Sequence, residues 1–389
     1  MMRIPFLRTK AAAPVAATKG DGPLAPRIPA WASPVAGSGG DYASQVRAAF
    51  LANPVAARAL RIITECAGGA PILANMPGHP VLPLLRSCGF GASGPGLIET
   101  VAGHLLLHGN AYVDVACGAD GLPAALFALR PERVSVEVDS DGWPVAHAYR
   151  VGTGVRRYPV GGDGCGLLHI RSFHPLDDQY GAGCLGAAAA AVAVHNAATA
   201  WNRALLENAA RPSGALVYQP GDGSTLSPEQ FARLRDEMQA AFAGAANAGR
   251  PMLLEGGLSW QSLSLSPAEM DFAGMREAAA RDIALALGLP PLLLGMRGDN
   301  SYANYREANV ALWRLTLLPL LSRLLGALSA HLGWWWPGLN LSVDLDAVTA
   351  LADDRERLWA NVSAADFLTN SEKRQMLGLD AGLNREGGQ

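Results

Sequence analysis

Apolar positions recur at helical spacing from Asp41 through Phe50 and Leu60 toward Ala67, which predicts a helix there, and again over Leu97–His108. Short apolar runs follow at Ala111–Val115, Arg133–Val138, Ala146–Val151 and Leu167–Arg171. Turn signals such as Asp120-Gly121 and Asp141-Gly142 separate them, so they read as strands. The chain thus opens with an α+β region of about 170 residues.

The pattern then changes. Cys184 to Ala210 reads as one helix of roughly 40 Å at 1.5 Å per residue. Nine of the fourteen positions 187–200 are alanine, and its charges are confined to Arg203 and Glu207. A helix with small side chains nearly all round gains nothing by facing water, so it predicts close neighbours on several sides. A small β-α-β-β unit follows: a strand at Ala215–Tyr218, a helix opened by the capping pattern Ser227-Pro228-Glu229-Gln230, and strands at Pro251–Glu255 and Ser259–Leu265. The helix stripe is Phe231, Leu234, Met238 and Phe242. Ser266-Pro267-Ala268-Glu269 starts the next helix, which stops at Gly288 before Pro290-Pro291. After a loop, a long helix from about Tyr302 to Leu332 is expected to kink at Pro319, which lacks an N–H and crowds the preceding turn. Three tryptophans, Trp334 to Trp336, a strand at Leu339–Leu345 and a short helix capped by Thr369 and Glu372 complete the chain.

Length narrows the picture: 389 residues correspond to two or three domains. Half the residues are apolar and 17% are charged, which supports a large core and excludes a disordered chain. A net charge of −3 argues against a protein that grips nucleic acid through a basic face. Only Lys10, Lys19 and Lys373 are lysines, a bias of GC-rich coding without mechanistic content. Five scattered cysteines with no CxxC imply neither a disulfide framework nor a zinc site, and fit a reducing cytoplasm. The N-terminus lacks a secretory h-region, and the apolar stretch 311–332 carries Arg314, Pro319 and Arg323, which argues against a membrane span. Residues 344–372 hold seven acids against two arginines.

Candidate chemistry is sparse. Gly89-Phe90-Gly91-Ala92-Ser93-Gly94 matches GxGxxG, with Asp114 twenty residues on, but no clean strand precedes it. The competing reading is a loop entering the helix at Leu97. His104 and His108 have metal-compatible i,i+4 spacing but no evident third ligand, so they read as helix-face histidines. His174-Pro175 and Asp177-Asp178 read as turn chemistry, and the tryptophan run as packing in preference to a base-stacking platform. No GxSxG, Walker A or paired-carboxylate pattern occurs, so no catalytic residue, metal site or cofactor is expected.

Several stretches together resemble the HK97-type portal proteins of tailed bacteriophages, over about residues 45–380. They are Gly109-Asn110-Ala111-Tyr112, Leu129-Arg130-Pro131, Pro175-Leu176-Asp177-Asp178 before Tyr180-Gly181, Asn208 to Gly214, Gly249 to Gly257, Leu289-Pro290-Pro291 and Tyr302-Ala303-Asn304-Tyr305. The wording Asn-Ala-Ala-Arg-Pro-Ser-Gly is most similar to portals of alphaproteobacterial gene transfer agents. The family often has Ser-Pro where Gly183-Cys184 stands, which implies a looser helix start, and Asn-Gly where Asn208-Ala209 stands, where alanine tolerates a positive φ poorly.

The resemblance implies an α+β portal fold with wing, stem, clip and small helical crown. Its parts are a basic, disordered tail at 1–44, a wing at 45–183 and 303–345, stem helices at 184–211 and 266–288, a clip at 212–265, a tunnel loop at 289–302 and a crown at 346–389. It implies a ring, probably of twelve copies, at one capsid vertex of a virion or virus-like particle assembled in the bacterial cytoplasm. The ring would conduct double-stranded DNA during packaging and ejection, and would meet the major capsid protein, the terminase large subunit and a head–tail adaptor. Stem contacts are expected at Ala190, Ala193, Ala197, Arg276 and Arg281. The DNA-facing loop is expected at Gly295, Met296, Arg297, Gly298, Asp299, Asn300 and Ser301, and motor or adaptor docking at Phe231, Arg235, Arg250 and Trp260. Twelve copies at −3 give about −36, which suits a conduit better than a tight DNA grip. The other readings are a dinucleotide-dependent enzyme built on Gly89–Gly94, and a ring scaffold or adaptor that never contacts DNA.

Overall fold

An Asn-Pro pair sets the first boundary. Helix α1 (Tyr42–Val46) runs into a π-helical turn, Arg47–Leu51, and stops; α2 (Pro54–Gly68) starts afresh. The single helix expected from Asp41 to Ala67 is therefore broken. Pro54 pushes Asn53 out of the helical region, to φ −105° and ψ 114°, and the Asn53 side chain accepts the Val55 and Ala56 N–H groups as the cap of α2. The computed structural model describes residues 15–17, 42–89, 94–161, 166–207, 214–218, 227–242, 258–262, 272–296 and 302–378.

Within the expected tail, Val15–Ala17 forms β1. Strand β2 (Ile72–Ala74), α3 (Val81–Arg86) and α4 (Leu97–His108) follow α2. Gly109, at φ +81°, ends α4 where the sequence placed its end. Six strands come next: β3 (Asn110–Cys117), β4 (Pro123–Leu129), β5 (Val134–Val138), β6 (Pro144–Val151), β7 (Gly154–Pro159) and β8 (Leu167–Arg171). They form two antiparallel sheets, β4-β3-β8 and β1-β5-β6-β7. The first is staggered so that Tyr112 faces Leu129 on one side and His169 on the other.

The second half runs α5 (Cys184–Glu207), β9 (Gly214–Tyr218), α6 (Pro228–Phe242), β10 (Leu258–Ser262), α7 (Phe272–Leu287), a 3-10 turn (Pro291–Leu294), α8 (Tyr302–Leu312), a π-helical turn (Trp313–Leu317) and α9 (Leu318–Leu332). It closes with β11 (Leu341–Val343), which pairs with β2, and with α10 (Ala352–Ala364) and α11 (Asn370–Met376). Strands β9 and β10 pair antiparallel, with α6 between them in sequence; the strand expected at 251–255 and the cap at 266–269 lie outside the described residues. The capping pair at Ser227 and Gln230 forms, with both reciprocal hydrogen bonds.

At Pro319, where a kink was expected, a π-helical turn precedes the proline. The π-helical turn before it shifts the hydrogen-bond register, so that the Leu318 N–H bonds Trp313 five residues back and Pro319 falls in the first turn of α9. One apolar core joins α2 (Ala59, Ile63), α4 (Leu97, Val101, Leu105), β3 (Ala111, Val113), α9 (Leu321, Leu324, Leu328), the start of α5 (Leu185, Ala188, Val192) and the end of α7 (Ile283, Leu287).

Candidate subunit-contact and channel surfaces

Helices α5 and α7 pack along one another and divide their surfaces sharply. Leu185, Ala188, Val192, His195 and Ala198 of α5 are buried, as are Ala279, Ala280, Ile283, Ala284 and Leu287 of α7. Ala190, Ala193 and Ala197 lie on the opposite face of α5 and are exposed, beside exposed Val194. Helix α5 is apolar enough over Cys184–Ala204 to cross a membrane by length and composition, yet only 28% of that stretch is buried. The same test is met by Ala303–Leu332, where the buried leucines of α9 build the core. On α7, Arg276 and Arg281 are exposed, and Arg281 pairs with Glu277 one turn earlier at 2.6 Å.

Two asparagines fasten the middle of α5 and the segment before it to the rest of the chain. Besides capping α2, Asn53 donates from Nδ2 to Asn196 Oδ1 at 2.9 Å and stands 3.2 Å from His195 Nδ1. Asn196 in turn donates to the Ala48 carbonyl at 2.9 Å. Fully buried Asn110 accepts the Gly181 N–H at 2.7 Å and donates to its carbonyl at 3.2 Å. Backbone meets backbone at this point: a Cβ on Gly109, Gly181 or Gly183 would overlap main-chain atoms of the facing segment. Gly183, where a looser helix start was expected, thus lies tight against the Leu107 backbone. Tyr180 anchors the same segment by accepting the Val136 N–H at 2.9 Å. Sequence reasoning did not single out Asn53 or Asn110 as positioning residues. The available signals were Asn before Pro, and Asn directly after a helix-ending Gly.

The remaining candidate chemistry resolves into structure. Gly89 to Gly94 follows helix α3, and Gly89 donates its N–H to Leu126. The described sheets are antiparallel, so the strand–turn–helix of a dinucleotide site is absent around the described part of this motif. Asp114 sits mid-strand, accepting Tyr158 Oη at 3.0 Å and Arg156 at 3.2 Å. Among the described residues no group of three His, Cys, Asp or Glu could hold a metal ion. His104 is pushed down to about 4 by burial and by Arg130, and His108 lies against the edge of Tyr42. Asp177 closes an Asx turn by accepting the Gln179 and Tyr180 N–H groups, as expected for turn chemistry. Trp335 donates to the Gly121 carbonyl at 2.9 Å and Trp336 meets His79 edge-on, so two of the three tryptophans pack within the chain.

The sequence model described as "Phage portal protein" matches residues 54–378. The chain belongs to the phage portal protein family. A chain of the structure "Neck of native GTA particle computed with C12 symmetry" is 47% identical, with a TM-score of 0.66, covering 87% of this portal chain and 94% of that one. An uncharacterized protein of Rickettsia felis (strain ATCC VR-1525 / URRWXCal2) is 37% identical over 346 residues, 86% of this chain and 89% of its own. An HK97 family phage portal protein from Corynebacterium diphtheriae, solved by crystallography, shares the fold at 17% identity and a TM-score of 0.57, covering 79% and 96% of the two chains.

Other surfaces of this portal chain were expected to meet DNA and partners. The segment expected to face DNA is tied down at its start. Thr316 of the π-helical turn donates to the Gly288 carbonyl at 2.5 Å, and Leu289 is buried beside it. Gly295, at φ +72°, ends the 3-10 turn, and Met296 is half-buried; Arg297, Gly298, Asp299, Asn300 and Ser301 lie outside the described residues. In the expected docking unit, Phe231 is 61% exposed on α6. Arg235 pairs with its neighbour Asp236 at 2.9 Å, and Trp260 stands opposite Leu216 in the β9–β10 ladder. Arg250 lies outside the described residues. Helix α10 pairs with α8 and the π-helical turn after it through Arg306–Asp353 at 2.9 Å and Arg314–Asp354 at 2.6 Å.

Proposed function

We propose that this portal chain assembles into a closed ring of twelve copies at one vertex of a capsid. The ring is the conduit through which double-stranded DNA is packaged and ejected, and the platform for the terminase large subunit and the head–tail adaptor. In this reading the chain itself is no enzyme: the work of translocation comes from a separate ATPase. Residues 45–183 and 303–345 form the wing, α5 and α7 the stem, 212–265 the clip, 289–302 the loop at the narrowest point, and 346–389 the crown.

The outer face of α5 carries the proposal. A long helix with exposed Ala190, Ala193, Ala197 and Val194 leaves apolar surface in water that a neighbouring copy would cover. Alanines permit the close approach of two backbones that such a contact requires. The 47% identical chain from a particle neck treated with C12 symmetry supports a ring of twelve copies. Mass photometry of the purified full chain tests it. The expected species has a mass of about 490 kDa, twelve times the 40.6 kDa chain. A monomer or dimer at all concentrations would overturn the proposal.

A further inference from the structure

Strand β1 fixes where the first residues of the chain leave the sheet. It runs antiparallel to β5, with Val15 opposite Val138 and Ala17 opposite Val136. Traced backward from Val15, the chain leaves β1 at the end where β5 leads into Asp139 and the turn before β6. That corner carries exposed apolar surface. Trp143 in the turn is 71% exposed, and Phe173 and Leu176 in the segment after β8 are 82% and 73% exposed. Gln179 Nε2 donates to the Gly142 carbonyl at 2.8 Å, which joins the two segments. Each is also set internally: the Trp143 N–H donates to Asp139 Oδ1 at 2.8 Å, and the Leu176 N–H donates to His174 Nδ1 at 3.1 Å. Large apolar side chains held in water on a fixed backbone mark a contact surface.

The charges point to what covers it. Asp139, Asp141 and Asp178 are exposed around this surface, and Asp177 is half-buried. Among the described residues none of these four carboxylates takes part in an ion pair. Arg171 beside them donates to the main-chain carbonyl of Asp178. Residues 1–14 lie outside the described residues; they hold Arg3, Arg8 and Lys10 and no acid, with Ile4, Phe6 and Leu7 among the cations. They are opposite to the corner in charge and match it in apolar content. Leu7 is eight positions before Val15, which allows up to about 26 Å of extended chain at about 3.3 Å per residue.

We propose that residues 3–10 of the same chain dock on this corner as a strap: Ile4, Phe6 and Leu7 cover Trp143, Phe173 and Leu176, and Arg3, Arg8 and Lys10 meet the surrounding aspartates. Main-chain pairing of β1 with β5 anchors the strap, and the charge match sets its course beyond Val15. The strap stands on the β1 register and on the charge and exposure of the corner, and it does not depend on the ring reading.

Photo-cross-linking of the full chain tests this, with benzoylphenylalanine in place of Phe6 and nitrogen-15-labelled chains mixed in equal part with unlabelled ones. The expected cross-links fall in peptides covering 139–143 and 172–179 and stay within single chains. No cross-link to these peptides, or cross-links only elsewhere, overturns the proposal. Cross-links that join labelled to unlabelled chains make the occupant a second copy and overturn it as well. Charge reversal at two exposed positions, Asp141→Lys with Asp178→Lys, is expected to lower the yield by about threefold or more, as the loss of exposed ion pairs would. An unchanged yield overturns the proposal. Should that variant not fold, Trp143→Ser is expected to lower the yield as much, and an unchanged yield there counts against the strap.

Discussion

Asn110 grips Gly181 from both sides, accepting its N–H at 2.7 Å and donating to its carbonyl at 3.2 Å. The side chain stands in for a strand where the chain turns toward α5. Asn110→Leu keeps the branched side-chain skeleton and removes both bonds. Buried groups left without these partners cost about 1–3 kcal/mol each. The variant is expected to melt several degrees below wild type in a thermal scan, and an unchanged melting temperature would show that the grip is dispensable.

This contact also shows what could be read in advance. Gly109-Asn110 and Tyr180-Gly181 were among the stretches carrying the family resemblance, but the chain does not announce that they touch. They are seventy-one positions apart and use backbone contacts that leave no periodicity. Helix α4 was legible to its last residue because an apolar face ends at a glycine with positive φ. Strand β7 was not, because Arg156, Arg157 and its other exposed positions give an edge strand no apolar alternation. The π-helical turn before Pro319 was not legible, because the propensity argument assumes an unbroken α-helical register. The exposed alanines of α5 were legible as small residues, while the division into a buried and an open face needed the position of α7.

Ala193→Leu separates folding from assembly. Ala193 is exposed in the single chain, so the substitution is expected to leave its melting temperature within about 1 °C, as surface changes usually do. At a packed contact between copies the added volume costs about 1–3 kcal/mol, repeated at every interface. Mass photometry is expected to show rings replaced by smaller species. Equal ring fractions for variant and wild type would place the contact elsewhere.

Shortening Arg297–Asn300 to Gly-Gly tests the segment between Gly295 and Tyr302. The near flank is held by the Gly288–Thr316 bond, so ring assembly is expected to survive. Nuclease-protected DNA per portal copy is expected to fall, because the polar loop no longer hinders back-slippage. An unchanged ratio in particles with normal portal content would remove the loop from DNA retention.

The C-terminal helices carry their own pH dependence. Asp346 accepts Arg355 Nε at 2.6 Å and Trp359 Nε1 at 3.2 Å, and Arg355 first and Trp359 after it hold the carboxyl below its ordinary value of 3.8. A depressed carboxylate stabilises the fold fully above its unfolded value and loses that contribution as pH falls through the folded one. Asp346→Asn is therefore expected to melt below wild type at pH 6, with the gap closing below about pH 3.8. A gap of the same size at pH 6 and pH 3 would mean that the charge contributes nothing.

Single-particle imaging of the purified full chain bears most directly on the central claim, that the open face of α5 is the contact between copies in a ring. The expected result is a closed ring with rotational symmetry in which Ala190, Ala193 and Ala197 of each chain are buried against the next. A chain that stays single, or a ring in which these three alanines face solvent, would contradict it.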